Sequence, residues 1–180
     1  MERSKYIKSY MSPLGTMYMK SDGRYLTGLW FDGSGDEKKH CGDFEEKDLP
    51  VFDETKRWLD IYFSGKNPDF TPEYRVEGTT PFREAVTDIM KKIPFGETVT
   101  YNDIAVKIAG QRGIRKMSAQ AVGGAVGWNP ICIIIPCHRV VGTNGSLTGY
   151  GGGIQNKYRL LELEGNDMKK FTVPTKGTAL

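Results

Sequence analysis

The tightest constraint on this chain is the apolar pentad Ile131-Cys132-Ile133-Ile134-Ile135, fenced by Pro130 and Pro136. Such a run belongs in a core, as a buried strand or a short extended core segment, and a proline at its end stops regular pairing. The chain continues with Cys137-His138-Arg139-Val140-Val141, so a thiol and an imidazole are expected at the rim of that core. A cysteine attacks as thiolate, and an adjoining base is what activates it. Buried cysteines are common, and a Cys-His pair alone is more often structural than catalytic. Its surroundings favour catalysis here: His138 is the one histidine of the second half, and a permissive loop comes after it with Gly142, Gly145, Gly149, Gly151, Gly152 and Gly153. Leu160-Leu161-Glu162-Leu163-Glu164-Gly165 then reads as a helix end carrying a carboxylate able to orient His138, with Glu164 and Glu162 as the two candidates. Cys132, inside the apolar run, reads as an inert packing thiol.

The first half reads as sheet and helix. Tyr6, Lys8 and Tyr10 alternate with Ile7 and Ser9, and Asp22-Gly23 is a hairpin dipeptide between residues 15–20 and 24–31. Residues 32–47 read as a polar loop with His40-Cys41 as a solvated pair. A helix is expected over 48–64, with Val51, Phe52, Thr55, Trp58, Leu59, Tyr62 and Phe63 on one face, Asp48 as N-cap and Gly65 as stop. Glu77-Gly78-Thr79 reads as a linker. Domains are therefore expected at 1–78 and 79–165, with a tail at 166–180.

In the second half Thr80 caps a helix that has Pro81 first and Phe82, Val86, Ile89 and Met90 inward. After a turn at Pro94-Phe95-Gly96 and a short strand at Thr98-Val99-Thr100, Thr100 with Asp103 starts a helix running from Tyr101 to about Ala109. A further helix over 118–127 is built from small residues. Two helices joined by a glycine-containing turn form the pattern of a helix-turn-helix. Small residues in the second allow close packing on another helix or close approach to a ligand; glycine inside a helix costs up to about 1 kcal/mol and needs compensation.

Pro136-Cys137-His138-Arg139-Val140, with Gly123-Gly124 and Asn129-Pro130 before it and Tyr150 and Leu160 to Gly165 after it, resembles the O6-alkylguanine-DNA alkyltransferases. The match is strong over residues 79–165 and weaker before. The resemblance implies an α/β protein: a small ribonuclease-H-like sheet-and-helix domain, then a helical, winged-helix-like alkyltransferase domain. It implies Cys137 as nucleophile and alkyl acceptor, His138 as base acting through a water, and Glu164 as the carboxylate holding the imidazole. It implies that the helix bearing Gln120, Ala121 and Gly123 enters a minor groove of double-stranded DNA, where many members carry arginine at the position of Gln120 to fill the gap left by an extruded base. Tyr101 would press on the flipped nucleotide's phosphate or donate to its base, Asn129 would brace the turn into the site, and Val140 would present backbone to the base. Tyr150 would form part of a lid, and Gly151 stands where many members have serine. Arg139 reads as a structural ion-pair partner.

The implied activity is irreversible alkyl transfer from O6-alkylguanine, and possibly O4-alkylthymine, with no cofactor or metal. Only His40 and His138 exist as histidines, too few for a zinc cluster. Three cysteines leave one unpaired under any disulfide scheme, which suits a cytoplasmic protein, and neither a signal peptide nor a membrane span is read. The net charge of +3 hides a polarity: residues 1–78 carry −3 and residues 79–165 carry +4. A mild positive excess around Cys137 fits a polyanion and fits an ordinary solvated surface equally. A monomer is expected. Two other classes remain: a non-catalytic damage-recognition protein, and a winged-helix regulator using the cysteine as a sensor.

Overall fold

The computed structural model describes residues 4–40 and 42–175. They divide into two compact units, one holding residues up to Gly78 together with Pro130–Ile134, the other Thr79–Asn129 and the residues from Ile135 onward. Residues 130–134 thus leave the sequence neighbourhood of Cys137 and pack with the first unit.

The first unit has strands β1 (Tyr6–Ser12), β2 (Gly15–Ser21) and β3 (Leu26–Phe31), a short helix α1 (Gly35–His40), a two-residue strand β4 (Glu45–Glu46) and helix α2 (Pro50–Phe63). The sheet order is β3-β2-β1-β4, antiparallel except where β4 joins β1 in parallel. The turn between β2 and β3 is the one expected at Asp22-Gly23. Gly23 has φ +111°, and the Asp22 carboxylate accepts from the Arg24 and Tyr25 amides, so the side chain closes the turn. All six residues of β3 are buried. On its outer side it meets the apolar pentad, with Leu29 bonding through its amide to Pro130 O and through its carbonyl to the Cys132 amide.

α2 buries Val51, Phe52, Thr55, Trp58, Leu59 and Tyr62, the face read from the sequence. Its start differs. Leu49 is the N-cap and Pro50 the first residue, the position a proline favours, while Asp48 pairs with Lys8. Gly65, with φ +87°, ends it as expected. Residues 32–47 are not simply a loop. Ser34 Oγ accepts from the Glu37 amide, acidic residues fill the first turn of α1 and basic ones the last, and these stabilise a helix that has no apolar periodicity. Cys41 lies outside the described residues.

The pentad is likewise not a strand. Only Ile131 makes a bridge, to Leu29; the chain then turns, with Ile133 at φ +67°. A β-branched residue there is strained, by about 1–3 kcal/mol, and its nearly complete burial in the core holds it.

The second unit begins with α3 (Pro81–Met90), capped by Thr80 accepting from the Arg83 amide. β5 (Val99–Thr100) leads into α4 (Tyr101–Arg112), whose capping box joins Thr100 and Asp103. α4 runs through Gly110, past the expected end near Ala109, and stops at Gly113 in the left-handed conformation. α5 (Ala119–Gly127), capped by Ser118, packs with α4 and α3. β6 (Val140–Val141) pairs in parallel with β5, and α6 (Ile154–Leu163) comes after the glycine loop. The segment 166–172 is held rather than loose. Leu147 donates to Thr172 O and Thr172 to Gly145 O, while Met168 and Phe171 pack on Val141, Leu147 and Leu161. Lys169 and Lys170 stay exposed on it, and residues 176–180 lie outside the described residues.

Candidate active site

Cys137 opens a single 3-10 turn, Cys137–Arg139, directly after Pro136. The preceding backbone is pinned twice: the Cys137 amide donates to Ile135 O at 2.8 Å, and the buried Asn129 side chain donates to the same oxygen at 2.9 Å. Asn129 thereby ties the end of α5 to the entry of the site. Cys137 itself is buried, with 6% of its surface exposed.

Behind it lies a buried charge cluster. His138 Nε2 meets Glu164 Oε1 at 2.7 Å, and both side chains are fully buried. Arg139 holds the same carboxylate with two arms, Nε to Oε2 and Nη2 to Oε1, both at 2.9 Å, and donates through Nη1 to Ile93 O. The Gly96 amide adds a donor to Glu164 Oε2. Gly96 has φ +82°, and a Cβ there would lie 3.1 Å from Glu164 O, so the turn needs glycine twice over. Glu162, the competing carboxylate, is exposed on the other side of α6.

The electrostatics follow from these contacts. Burial alone would push the Glu164 pKa up; the hydrogen bonds and charges of His138 and Arg139 outweigh it and bring it down to about 2. His138 is pulled below its ordinary value chiefly by burial, against the opposing pull of Glu164. Arg139, always protonated, keeps Glu164 ionised. The consistent state near neutral pH has a neutral ring with its proton on Nε2, donated to Glu164, which makes Nδ1 the basic nitrogen.

Lys157 was not picked out by sequence reasoning. It is completely buried on α6 and donates through Nζ to Val140 O and Thr148 O. Burial lowers its pKa to about 8, and the negative charge available at Cys137 pulls the other way. A lysine three and four residues before Leu160 and Leu161 sits on the inward face of the helix, which was the available signal. The Thr148 carbonyl also accepts from Tyr101 Oη at 2.9 Å. Burial, then the Cys137 charge, raises the Tyr101 pKa.

The expected substrate-side residues fall in three places. Gln120 and Ala121 are exposed at the first turn of α5, with Gly123 half-buried one turn on and beside the Tyr101 ring. Tyr101 directs its hydroxyl to Thr148 O. Val140 is fully buried, its N–H bonded to Cys137 O and its carbonyl to Lys157. Tyr150 is buried and Gly151 half-buried at the end of the glycine loop. Arg139 is the ion-pair partner expected, and its partner is the carboxylate that also holds His138.

Such a cluster can do one thing well. A fixed carboxylate sets the tautomer of an imidazole beside a thiol, and a buried ammonium lies near enough to the thiolate to feel its charge, all without reorganisation at the moment of reaction.

Comparison with known proteins agrees. The profile of the 6-O-methylguanine DNA methyltransferase DNA-binding domain matches residues 81–166, and that of its ribonuclease-like domain matches residues 5–74. The methylated-DNA–protein-cysteine methyltransferase of Haemophilus influenzae is 38% identical, over 88% of this chain and 86% of its own length. That of Methanosarcina acetivorans is 39% identical, over 89% and 99%. The crystal structure of Mycobacterium tuberculosis OGT in complex with DNA superposes with TM-score 0.74 at 37% identity, covering 92% of this chain and 94% of that one. With its two domains in the family's order and the Pro-Cys-His-Arg turn seated on a buried carboxylate, the chain belongs to the methylated-DNA–protein-cysteine methyltransferase family.

Proposed function

We propose that this protein repairs DNA directly, by moving the alkyl group of O6-alkylguanine onto Cys137. The observation that carries this is the buried His138–Glu164–Arg139 cluster beside the thiol, inside the region that matches the family's DNA-binding domain. His138 Nδ1 takes the thiol proton through a water, with Glu164 holding the Nε2 proton. The thiolate attacks the alkyl carbon; an S–C bond forms, the C–O6 bond breaks and its electron pair returns to the base. A proton delivered to the departing base lets it leave as neutral guanine. The thioether is stable, so each molecule acts once and needs neither metal nor cofactor.

An alkyl group on O6 faces into the duplex, so the nucleotide must be rotated out, at a cost of a few kcal/mol. Gln120 fills the vacated stack from the first turn of α5, where Ala121 and Gly123 let the backbone come close. Tyr101, through its hydrogen bond to Thr148 O, positions the loop and offers its ring to the flipped nucleotide. Val140 and Gly151 present backbone to the base, Tyr150 closes over it, and Asn129 keeps the entry turn rigid. The protein acts as a monomer in the cytoplasm on double-stranded DNA. A protein that only recognised damage would have no use for a thiol placed against this cluster, and a regulator sensing through the cysteine would prefer one undamaged DNA sequence.

Intact-mass analysis after incubation with an O6-methylguanine duplex tests the reading. One methyl group is expected, mapping to Cys137; a methyl on Cys41 or Cys132 sinks the assignment.

A further inference from the structure

The first unit carries more acidic than basic residues, yet a sizeable recess in it collects cations. A cavity of about 520 Å³ opens between the start of β1, the β2–β3 turn and the chain leading into α2, and its wall includes Tyr6, Asp22, Arg24, Tyr25, Lys47 and Arg75. Arg24 and Arg75 both approach the Tyr25 ring, at 4.9 and 5.3 Å from its centre, and Lys47 lies 4.6 Å from that of Tyr6. Three cations converge on two half-buried rings against one carboxylate.

That carboxylate is already spent. Asp22 is engaged by the Arg24 and Tyr25 amides and by the Arg75 guanidinium, so it balances Arg75 and leaves Arg24 and Lys47 uncompensated within the wall. Arg24 and Lys47, both exposed, are the cations whose donors the recess leaves open. Like charges held together repel, and an anion between them removes that cost. A guanidinium is itself a flat group on which another aromatic ring can stack, and Arg24 and Arg75 both lie over the Tyr25 ring.

From this geometry we propose that the recess binds a nucleotide through its phosphate, with Arg24, Lys47 and Arg75 around the phosphate and the base against the Arg24–Tyr25 stack. The volume is within the roughly 300–1,000 Å³ range of small-molecule sites, and cations beside aromatic faces are what single-stranded nucleic acid uses. The site does not use Cys137 and does not depend on the repair reading. A free nucleotide and a nucleotide of a single strand share this chemistry.

The test is amide NMR on the whole 15N-labelled protein, titrated separately with thymidine 5′-monophosphate, an eight-residue oligothymidylate and inorganic phosphate. The nucleotide should shift the amides of Gly23, Arg24, Tyr25 and Lys47 saturably, with inorganic phosphate about tenfold weaker because it lacks the base. Tighter binding of the oligomer through the same amides identifies a strand as the source; binding of the monophosphate alone identifies a free nucleotide. The double variant Arg24→Gln, Lys47→Gln, both exposed, should weaken binding at these amides by about tenfold or more while the rate with free O6-benzylguanine stays unchanged. Shifts absent, shifts confined to the second unit, phosphate as tight as the nucleotide, or a double variant that binds equally well each overturn the proposal.

Discussion

Each unit buries polar groups, and they treat them differently. In the sheet unit Asp22 closes its own turn and pairs with the half-buried Arg75, and Thr55 donates to the carbonyl of Val51 one helical turn back. In the helical unit His138, Arg139 and Glu164 are buried against one another, and Lys157 against carbonyls of the loop beside them. The first kind stabilises a turn. The second is an arrangement that apolar side chains could replace with equal or greater stability, so its retention beside Cys137 points to chemistry.

Removing the thiol breaks the comparison most completely. Cys137→Ala should abolish methyl transfer, measured by intact mass, while DNA binding and thermal unfolding stay close to the parent. Next, the two kinds of buried carboxylate should separate. Glu164→Gln leaves Arg139 buried without its counter-charge and should cost about 3–5 kcal/mol of stability, together with a fall of two or more decades in transfer rate. Asp22→Ala should cost only about 1–2 kcal/mol and leave the rate with free O6-benzylguanine unaltered. A rate in Asp22→Ala that fell in proportion to its lost stability would show that the rate merely follows stability.

The same contrast has a pH signature. Glu164 has a pKa near 2 in the folded protein against 4.5 in the unfolded chain, so between those values the unfolded chain binds more protons. Its contribution to stability is complete above pH 4.5 and disappears as pH falls toward 2; acid unfolding of Glu164→Gln should lack that component. Lys157 loses its charge near pH 8, so the transfer rate should show an inflection there. Lys157→Met should remove the inflection and slow transfer at pH 7 by about tenfold, equivalent to about 1.4 kcal/mol of transition-state stabilisation. The smallest effect concerns Gln120: Gln120→Ala should slow repair in duplex DNA and not reaction with free O6-benzylguanine, and Gln120→Arg should tighten duplex binding. A similar defect on the free base would make Gln120 part of the site's support.

Where the sequence carried a period or a cap it was legible. α2, α3, α4 and the Asp22-Gly23 turn lie where apolar spacing, Thr80, Thr100 and Gly23 put them, and α5 lies within the run of small residues expected to form it, with Ser118 as its cap rather than its first residue. α1 was missed because six polar residues have no apolar face to read. The pentad misled because a run of isoleucines reads as extended chain, whereas Ile133 is forced into the left-handed region by packing that no local rule contains. At the site, adjacency made Cys137 and His138 visible, and the helix end suggested Glu164. The sharing of Glu164 between His138 and Arg139 is a tertiary fact. So is the burial of Lys157, since a sequence marks a lysine as polar long before it marks it as buried.

The Thr148 carbonyl accepts from Tyr101 at the start of α4 and from Lys157 on α6, so one backbone oxygen joins two helices to the glycine loop. Because the acceptor is main chain, replacing the Thr148 side chain does not remove it. A mutational scan would rate residue 148 as tolerant and report the junction only through its neighbours. The sharpest of these is Gly149, at φ +76°, where a Cβ would lie 3.0 Å from Tyr101 Oη. Position 148 thus serves the site through its main chain, and tolerance to substitution there says nothing about how much the site depends on it.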